Sequence, residues 1–473
     1  MSCTIASSTK APVDWGMRTV AERLTVLSRA RHLLAQRAVQ IADAISPELA
    51  RTKADTLTTE LLPLLDACRF LERNAAKILK PRKLGSAGRP MWLSGIQAEV
   101  HREPLGHILI VGPSNFPLFL PGTQTLQALA AGNTVTWKPG SGGGPVAELL
   151  AQTLMEAGLP VGALTITDES VAAAQQALAE SPDKVVFTGS SHTGQTVLST
   201  LAETATPAVV ELSGADAILV TPDADLRLVA RAVAFGLRLN GGAVCMSPRR
   251  LFASTATMAL LRPLLIEALR DVPPVQLNAT TSERLRLMIA SSIDEGAQLL
   301  GDLTPDAQRP VLIDSAKPSM EIARSDIFAP VLSLLAADTM MHIPAMYAQC
   351  SYALTLSIFC AKQEMPKARM IARKLKAGTV LVNDIIAPTA DPRVPFGGRG
   401  ASGYGVTRGS EGLLEMTAVK TLILRRNGAM RHLDATTDAD LPLFTALIGT
   451  LHGGTLSQRW TCLRALISSA RNR

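Results

Sequence analysis

Residues 107–138 read HILIVGPSNFPLFLPGTQTLQALAAGNTVTWK. An apolar run at 107–112 closes on Gly-Pro-Ser-Asn, a helix-like stretch follows at 121–131, and a second apolar run fills 134–138. Short apolar runs bounded by turn residues read as buried strands. Joined by a helix, two such strands form a parallel pair with the helix packed across it. The pattern continues outward. Strands are expected at 164–167, 184–188, 208–212 and 217–221, with helices at 145–157, 170–180 and 193–204. The predicted fold class is α/β, a parallel sheet covered by helices on both faces, with ligands at the carboxyl ends of its strands.

Upstream, residues 17–80 read as helices. Leu24, Leu27, Leu33 and Leu34 recur near helical spacing, a second run covers 53–79, and Pro47 and Pro63 are expected at turns or interruptions. Residues 86–104 alternate weakly and predict a β-hairpin. Downstream, a second α/β run spans 225 to about 405, with a helix at 225–239 and a glycine-rich turn at 240–245. Strands near 249–253, 356–360 and 379–383, a helix at 364–376 and a glycine-rich loop at 393–405 complete it.

The chain has 473 residues, 47% hydrophobic and 18% charged, which excludes a disordered chain and a small disulfide scaffold. Its net charge of +7 includes no long Lys/Arg run, so nucleic acid is not expected as a partner. The six cysteines show no CxxC spacing and no His cluster, so neither a zinc site nor a disulfide framework is expected. The opening MSCTIASSTKAPVDWG has no secretory pattern, and no apolar stretch reaches spanning length; a soluble, cytoplasmic protein is expected.

Four places carry candidate chemistry. Cys245 ends Asn240-Gly241-Gly242-Ala243-Val244-Cys245, a turn that suits a thiolate nucleophile, although a free cysteine is more often inert and buried. Glu211 interrupts an apolar strand and fits either a general base or a strand-end salt bridge. Asn115 at a strand's carboxyl end fits an oxyanion donor or an Asx-turn. Residues 188–194, Thr-Gly-Ser-Ser-His-Thr-Gly, fit a phosphate-binding turn or an ordinary helix N-cap.

In order and spacing together, these segments resemble the aldehyde dehydrogenase superfamily. VGPSNFPLFLPGTQTLQALAAGNTVTWKPG (111–140), VVFTGSSHTG (185–194), VVELSGADA (209–217), NGGAVC (240–245), SDIFAPV (325–331) and VPFGGRGASGYG (394–405) follow one another as that family's motifs do. The resemblance implies two Rossmann-like α/β domains with a small β oligomerisation element. The cofactor-binding domain would be 1–85 plus 105–212, the oligomerisation element 86–104 plus 419–425, the catalytic domain 213–418, and 426–473 a C-terminal extension.

It also implies NAD(P)-dependent oxidation of an aldehyde to an acid, in a homodimer or tetramer. Cys245 would be the nucleophile, Asn115 the oxyanion donor and Glu211 the base that activates water. Cofactor contacts would come from Lys138, Ser141, Gly189, Ser190, Gly194, Asp326 and Phe328. A CoA-acylating enzyme is the alternative, which Glu211 disfavours; a non-catalytic binding role is the other.

Departures from the pattern are informative. Ser114 stands where the family usually has Trp and would open space near the substrate. Ala243 replaces a frequent Gln, Asp326 shortens the usual Glu, and no acid follows the 402–405 turn. Lys138-Pro139-Gly140-Ser141 lacks the acid that would repel a 2′-phosphate, so NADP should be tolerated alongside NAD. The extension is apolar at 441–451 and basic at 459–473, with Trp460, Leu463, Leu466 and Ile467. That fits a weak membrane-surface or partner contact, or a helix packed on its own protein, which is the commoner outcome.

Overall fold

The strand His107–Val111 explains its own composition. Ile108 and Ile110 point into one core with Val135, Trp137 and Leu150, while Leu109 and Val111 point into another with Val185, Phe187 and Leu201. Successive strand residues face opposite sides, so a strand covered on both faces must be apolar throughout. Burying each such Leu or Ile stabilises by about 1.5–3 kcal/mol. The computed structural model describes residues 15–49, 51–304, 307–426 and 430–471; the N-terminal stretch read for a leader, and Cys3, lie outside them.

Six strands form this first sheet, in the order Gly403–Tyr404, Ala208–Leu212, Lys184–Gly189, His107–Val111, Thr134–Lys138 and Leu164–Ile166. All pairs are parallel except the first, which is antiparallel. A second sheet orders Gln298–Leu300, Val311–Asp314, Val331–Ala337, Pro248–Ser254, Asp216–Val220, Thr355–Phe359 and Thr379–Val382. Only its first pair is antiparallel. Both sheets belong to one compact unit, Met1–Pro81 with His101–Lys420.

Two expectations need correction. Pro63 does not interrupt the N-terminal helices. It falls inside a run that stays helical from Lys53 to Ile78, and the π segment Leu57–Leu61 just ahead of it accommodates the missing N–H. The glycine-rich stretch 393–405 is not all loop: Gly403–Tyr404 pairs with the Glu211 strand, placing Gly403 opposite Glu211. A Cβ at Gly403 would lie 1.9 Å from the Val210 carbonyl oxygen, and φ there is +94°, so glycine is required.

The second unit comprises Arg82–Val100 and Thr421–Arg473. Its hairpin begins ahead of the expected position, because Arg82–Leu84 supplies the first strand and pairs Arg82 with Val100. The strand Thr417–Arg425 follows in the same three-stranded sheet. The helices Leu441–His452 and Leu456–Arg471 pack on each other, and Gly449 allows it: a Cβ there would lie 2.3 Å from Cys462 Sγ. Among the described residues, no helix is long and apolar enough to cross a membrane.

Candidate active site

The helix Leu226–Arg238 starts on Asp225, whose carboxylate accepts from the N–H groups of Arg227 and Leu228. It ends in a left-handed run: φ is +49° at Asn240, +58° at Gly241 and +78° at Gly242. At Gly242 a Cβ would lie 2.9 Å from the Ala329 carbonyl oxygen, so the backbone comes close to the 325–331 segment there. Arg249 locks the two together. Its buried guanidinium donates to the carbonyls of Ala329 (2.7 Å) and Gly242. Cys245 emerges from this turn with its Sγ 3.9 Å from Glu211 Oε1.

Glu211 is buried, and its Oε2 has no hydrogen-bond partner among the described residues. Burial raises its carboxyl to about 7, against the opposing pull of the Arg408 guanidinium and the Cys245 thiol. Burial, Glu211 and Asp216 push the Cys245 thiol well above its ordinary value, again opposed by Arg408. Arg408 is therefore the cation that faces both reactive groups. It lies over the rings of Phe119 (5.5 Å) and Phe396 (4.5 Å), donates to the Thr389 carbonyl, and leaves its buried Nε without a partner among the described residues.

Asn115 stands between the two sheets' turns. Its side-chain amide donates to the Ala243 carbonyl at 2.9 Å, and its own carbonyl accepts from Asn240 Nδ2 at 2.9 Å. Behind it lies a buried ion pair, Arg51 with Glu60 at 2.8 Å. Glu60 accepts the N–H groups of Leu118 and Phe119, and Arg51 also donates to the Asn115 carbonyl. This pair fixes the loop that carries Asn115.

Two cavities meet at Cys245. A cleft of about 360 Å³ is lined by Ser114, Asn115, Gly189, Ser190, Asp326 and Phe328, among others. An apolar cavity of about 150 Å³ is lined by Phe116, Phe119, Phe235, Met246, Phe396 and Arg408, among others. Cys245, Glu211 and Leu120 line both. Ser114 borders only the larger cleft, so the space it opens is not in the apolar cavity.

The other expected cofactor residues divide. Gly189, Ser190, Asp326 and Phe328 reach the larger cleft; Lys138, Ser141 and Gly194 are not in its wall. Ser190 is also the N-cap of the helix Ser191–Thr204, accepting from the Thr193 N–H at 3.2 Å. Gly194 serves packing, since a Cβ there would meet Leu212 Cδ2 at 2.5 Å. Asp326 is met by Arg284, 3.8 Å from its Oδ1. An acid does approach Lys138 after all: Glu169 and Asp168 both act on its ammonium group. Glu169 itself accepts the N–H groups of Gly142 and Gly144, each at 2.7 Å.

Residues 2–422 match the aldehyde dehydrogenase family. The chain belongs to that family. This aldehyde dehydrogenase family member is 28% identical to 4,4'-diapolycopene aldehyde oxidase of Methylomonas sp over 424 residues, covering 87% of this chain and 79% of that one. It is 26% identical to a putative NADP(+) succinate-semialdehyde dehydrogenase of Mycolicibacterium smegmatis, covering 90% and 84%. Among solved structures it is similar to a Mycobacterium tuberculosis aldehyde dehydrogenase complexed with NAD+ (TM-score 0.79, 26% identity, 88% of each chain). It is also similar to an NADP-dependent glyceraldehyde-3-phosphate dehydrogenase of Bacillus halodurans complexed with NADP (TM-score 0.80, 27% identity, 87% and 88%).

Sequence reasoning missed Arg408, Arg249, Arg284, Glu169 and the Arg51–Glu60 pair. Each is charged, and its significance lies in partners far along the chain. Only Arg408 left a local trace, a cation within a run of glycine and small residues that closes the 394–405 segment.

Proposed function

We propose that this chain oxidises an aldehyde to its carboxylic acid with NAD or NADP, through a thioester on Cys245. The observation that carries the reading is Cys245 at the junction of two cavities, a larger cleft that presents Ser190, Arg284 and Asp326 and a smaller apolar one, with Glu211 beside it. The two α/β lobes act as cofactor-binding and catalytic domains. The larger cleft suits a dinucleotide: the helix Ser191–Thr204 begins at its wall, Arg284 adds a cation, and Asp326 offers an acceptor for hydroxyls.

The aldehyde enters from the apolar side, where its carbonyl carbon meets the Cys245 sulfur. The Asn115 amide and the Cys245 backbone N–H stabilise the oxyanion that forms. Ser190, Arg284 and Asp326 would hold NAD(P)+ in the larger cleft, where it would supply a hydride acceptor; loss of that hydride from carbon, and of the proton from oxygen, would leave a thioester on Cys245. Glu211 then takes a proton from water as it attacks the thioester carbon, releasing the acid and the thiol. A carboxyl near 7 can do this at neutral pH.

The apolar wall favours an aldehyde with a hydrocarbon tail. A panel of aldehydes followed by NAD(P)H absorbance, with and without CoA, tests the reading. Expected is CoA-independent turnover with higher kcat/KM for apolar aldehydes than for succinic semialdehyde. Strict CoA dependence would make it the acylating enzyme, and no turnover with any aldehyde would favour a binding role. The chain works in the cytoplasm, supported by free thiols at all five described cysteines. It assembles as a dimer or tetramer through the strand Thr417–Arg425, where Val419, Leu422, Ile423 and Leu424 are exposed.

Two further results are expected. The pH profile of kcat should rise through about 7, because Glu211 must be deprotonated to act. Arg408→Gln removes the charge that holds the Glu211 carboxyl down, so the rise should move to higher pH; an unmoved profile would mean that Arg408 does not act on the base. For the cofactor, Ser141→Glu should shift preference from NADP toward NAD by roughly tenfold, since it places a negative charge near Lys138. Fluorescence-quenching titrations of both cofactors measure the ratio, and an unchanged ratio removes Ser141 from the adenosine site.

A further inference from the structure

We infer that the C-terminal helical hairpin is an anionic-lipid docking element. Residues 441–473 contain four arginines and no aspartate or glutamate, and three aspartates, Asp434, Asp438 and the N-cap Asp440, come just before them at the start of the first helix. Ala446, Gly449 and Cys462 lie where the two helices meet. The outward residues are large and apolar at helical spacing. On Leu441–His452 they are Leu441, Phe444 and Ile448, three and seven residues on; on Leu456–Arg471 they are Leu456, Trp460 and Ile467, four and eleven residues on. All six are exposed.

The tryptophans sharpen the point. Of the four tryptophans, Trp15 and Trp137 are fully buried and Trp92 and Trp460 are exposed, and Trp460, 62% exposed, is the one that lies on this stripe. An exposed indole among aliphatic side chains, with cations beside it, is the composition of a helix lying in a lipid headgroup region. Arg459 and Arg464 flank Trp460 at helical positions on either side of the stripe. Charge selects the occupant. A second copy of the hairpin would bring cations against cations, while a surface of anionic phospholipid neutralises them and takes up the apolar stripe. Neither helix is long and apolar enough to span, so the contact lies on the surface.

The test is sedimentation of the full chain with vesicles of phosphatidylcholine alone and of equal parts phosphatidylcholine and phosphatidylglycerol. Binding should be at least about tenfold tighter to the anionic vesicles, should weaken as salt is raised, and should shift Trp460 emission to the blue. Arg459→Gln with Arg464→Gln should lower that affinity about tenfold, and Trp460→Ser should lower it independently. Both variants should keep wild-type dehydrogenase activity and wild-type helical circular dichroism in solution, which report that the α/β unit and the hairpin, whose turn Arg459 closes on the Gly453 carbonyl, both fold. The inference is overturned by equal binding to both vesicle types, by no binding, or by variants that bind as the wild type does. Self-association that both variants abolish, without vesicle binding, would assign the stripe to a second copy and equally overturn it.

Discussion

Cys245→Ala should lower aldehyde-dependent NAD(P)H formation by at least about a thousandfold while leaving cofactor affinity unchanged. In the proposed reaction the sulfur is the atom on which the covalent intermediate depends, and alanine removes it without touching the larger cleft's other walls. The surrounding turn is held by backbone geometry at Asn240–Gly242 and by Arg249, none of which involves the thiol. The variant should therefore fold and bind cofactor normally by fluorescence quenching. The other described cysteines are poor candidates: Cys68, Cys350 and Cys360 are buried, Cys462 lies against Gly449 between the C-terminal helices, and none of them lines either cavity. Full activity in Cys245→Ala, or alkylation that kills activity while modifying only Cys360, would place the nucleophile elsewhere.

Glu211→Gln should leave the first turnover intact and slow the following ones by roughly a hundredfold to ten-thousandfold, the usual worth of a general base. Stopped-flow absorbance should show a burst of NAD(P)H near one equivalent per active site, followed by a slow phase. The amide keeps the shape of the carboxylate but cannot accept the water proton, so the thioester accumulates. Trapping that acyl group on Cys245 by mass spectrometry would complete the assignment. Steady-state turnover equal to wild type would show that deacylation uses another base.

The sheets were legible from the chain because their strands are buried on both faces and so apolar without a break, as at Ile108–Val111. Cys245, Glu211 and Asn115 were legible because each breaks a local rule: a cysteine after glycines, a carboxylate in an apolar strand, an amide after Gly-Pro-Ser. What was not legible depends on contacts between distant segments. Arg51 and Glu60 sit in helices that look ordinary, yet they hold the Asn115 loop from behind. Glu169 lies well beyond Lys138 in the chain, so a search for an acid immediately after the lysine could not find it. Pro63 misled because a proline in a helical pattern marks an interruption or a start, and only the π segment ahead of it lets the helix run through.

The short strand Gly403–Tyr404 has a consequence for how the protein is made. It closes the sheet edge beside Glu211, and Ser402 Oγ donates to the Ser213 carbonyl across 189 residues of chain. On a ribosome, Glu211 emerges long before Gly403 does. At about 5–20 residues per second the wait is roughly 10–40 s. Through that interval the strand bearing Glu211 has a bare edge, a template for pairing with another chain. The candidate site is thus among the last features to mature, and nascent chains stalled before Gly403 should be the species that chaperones capture.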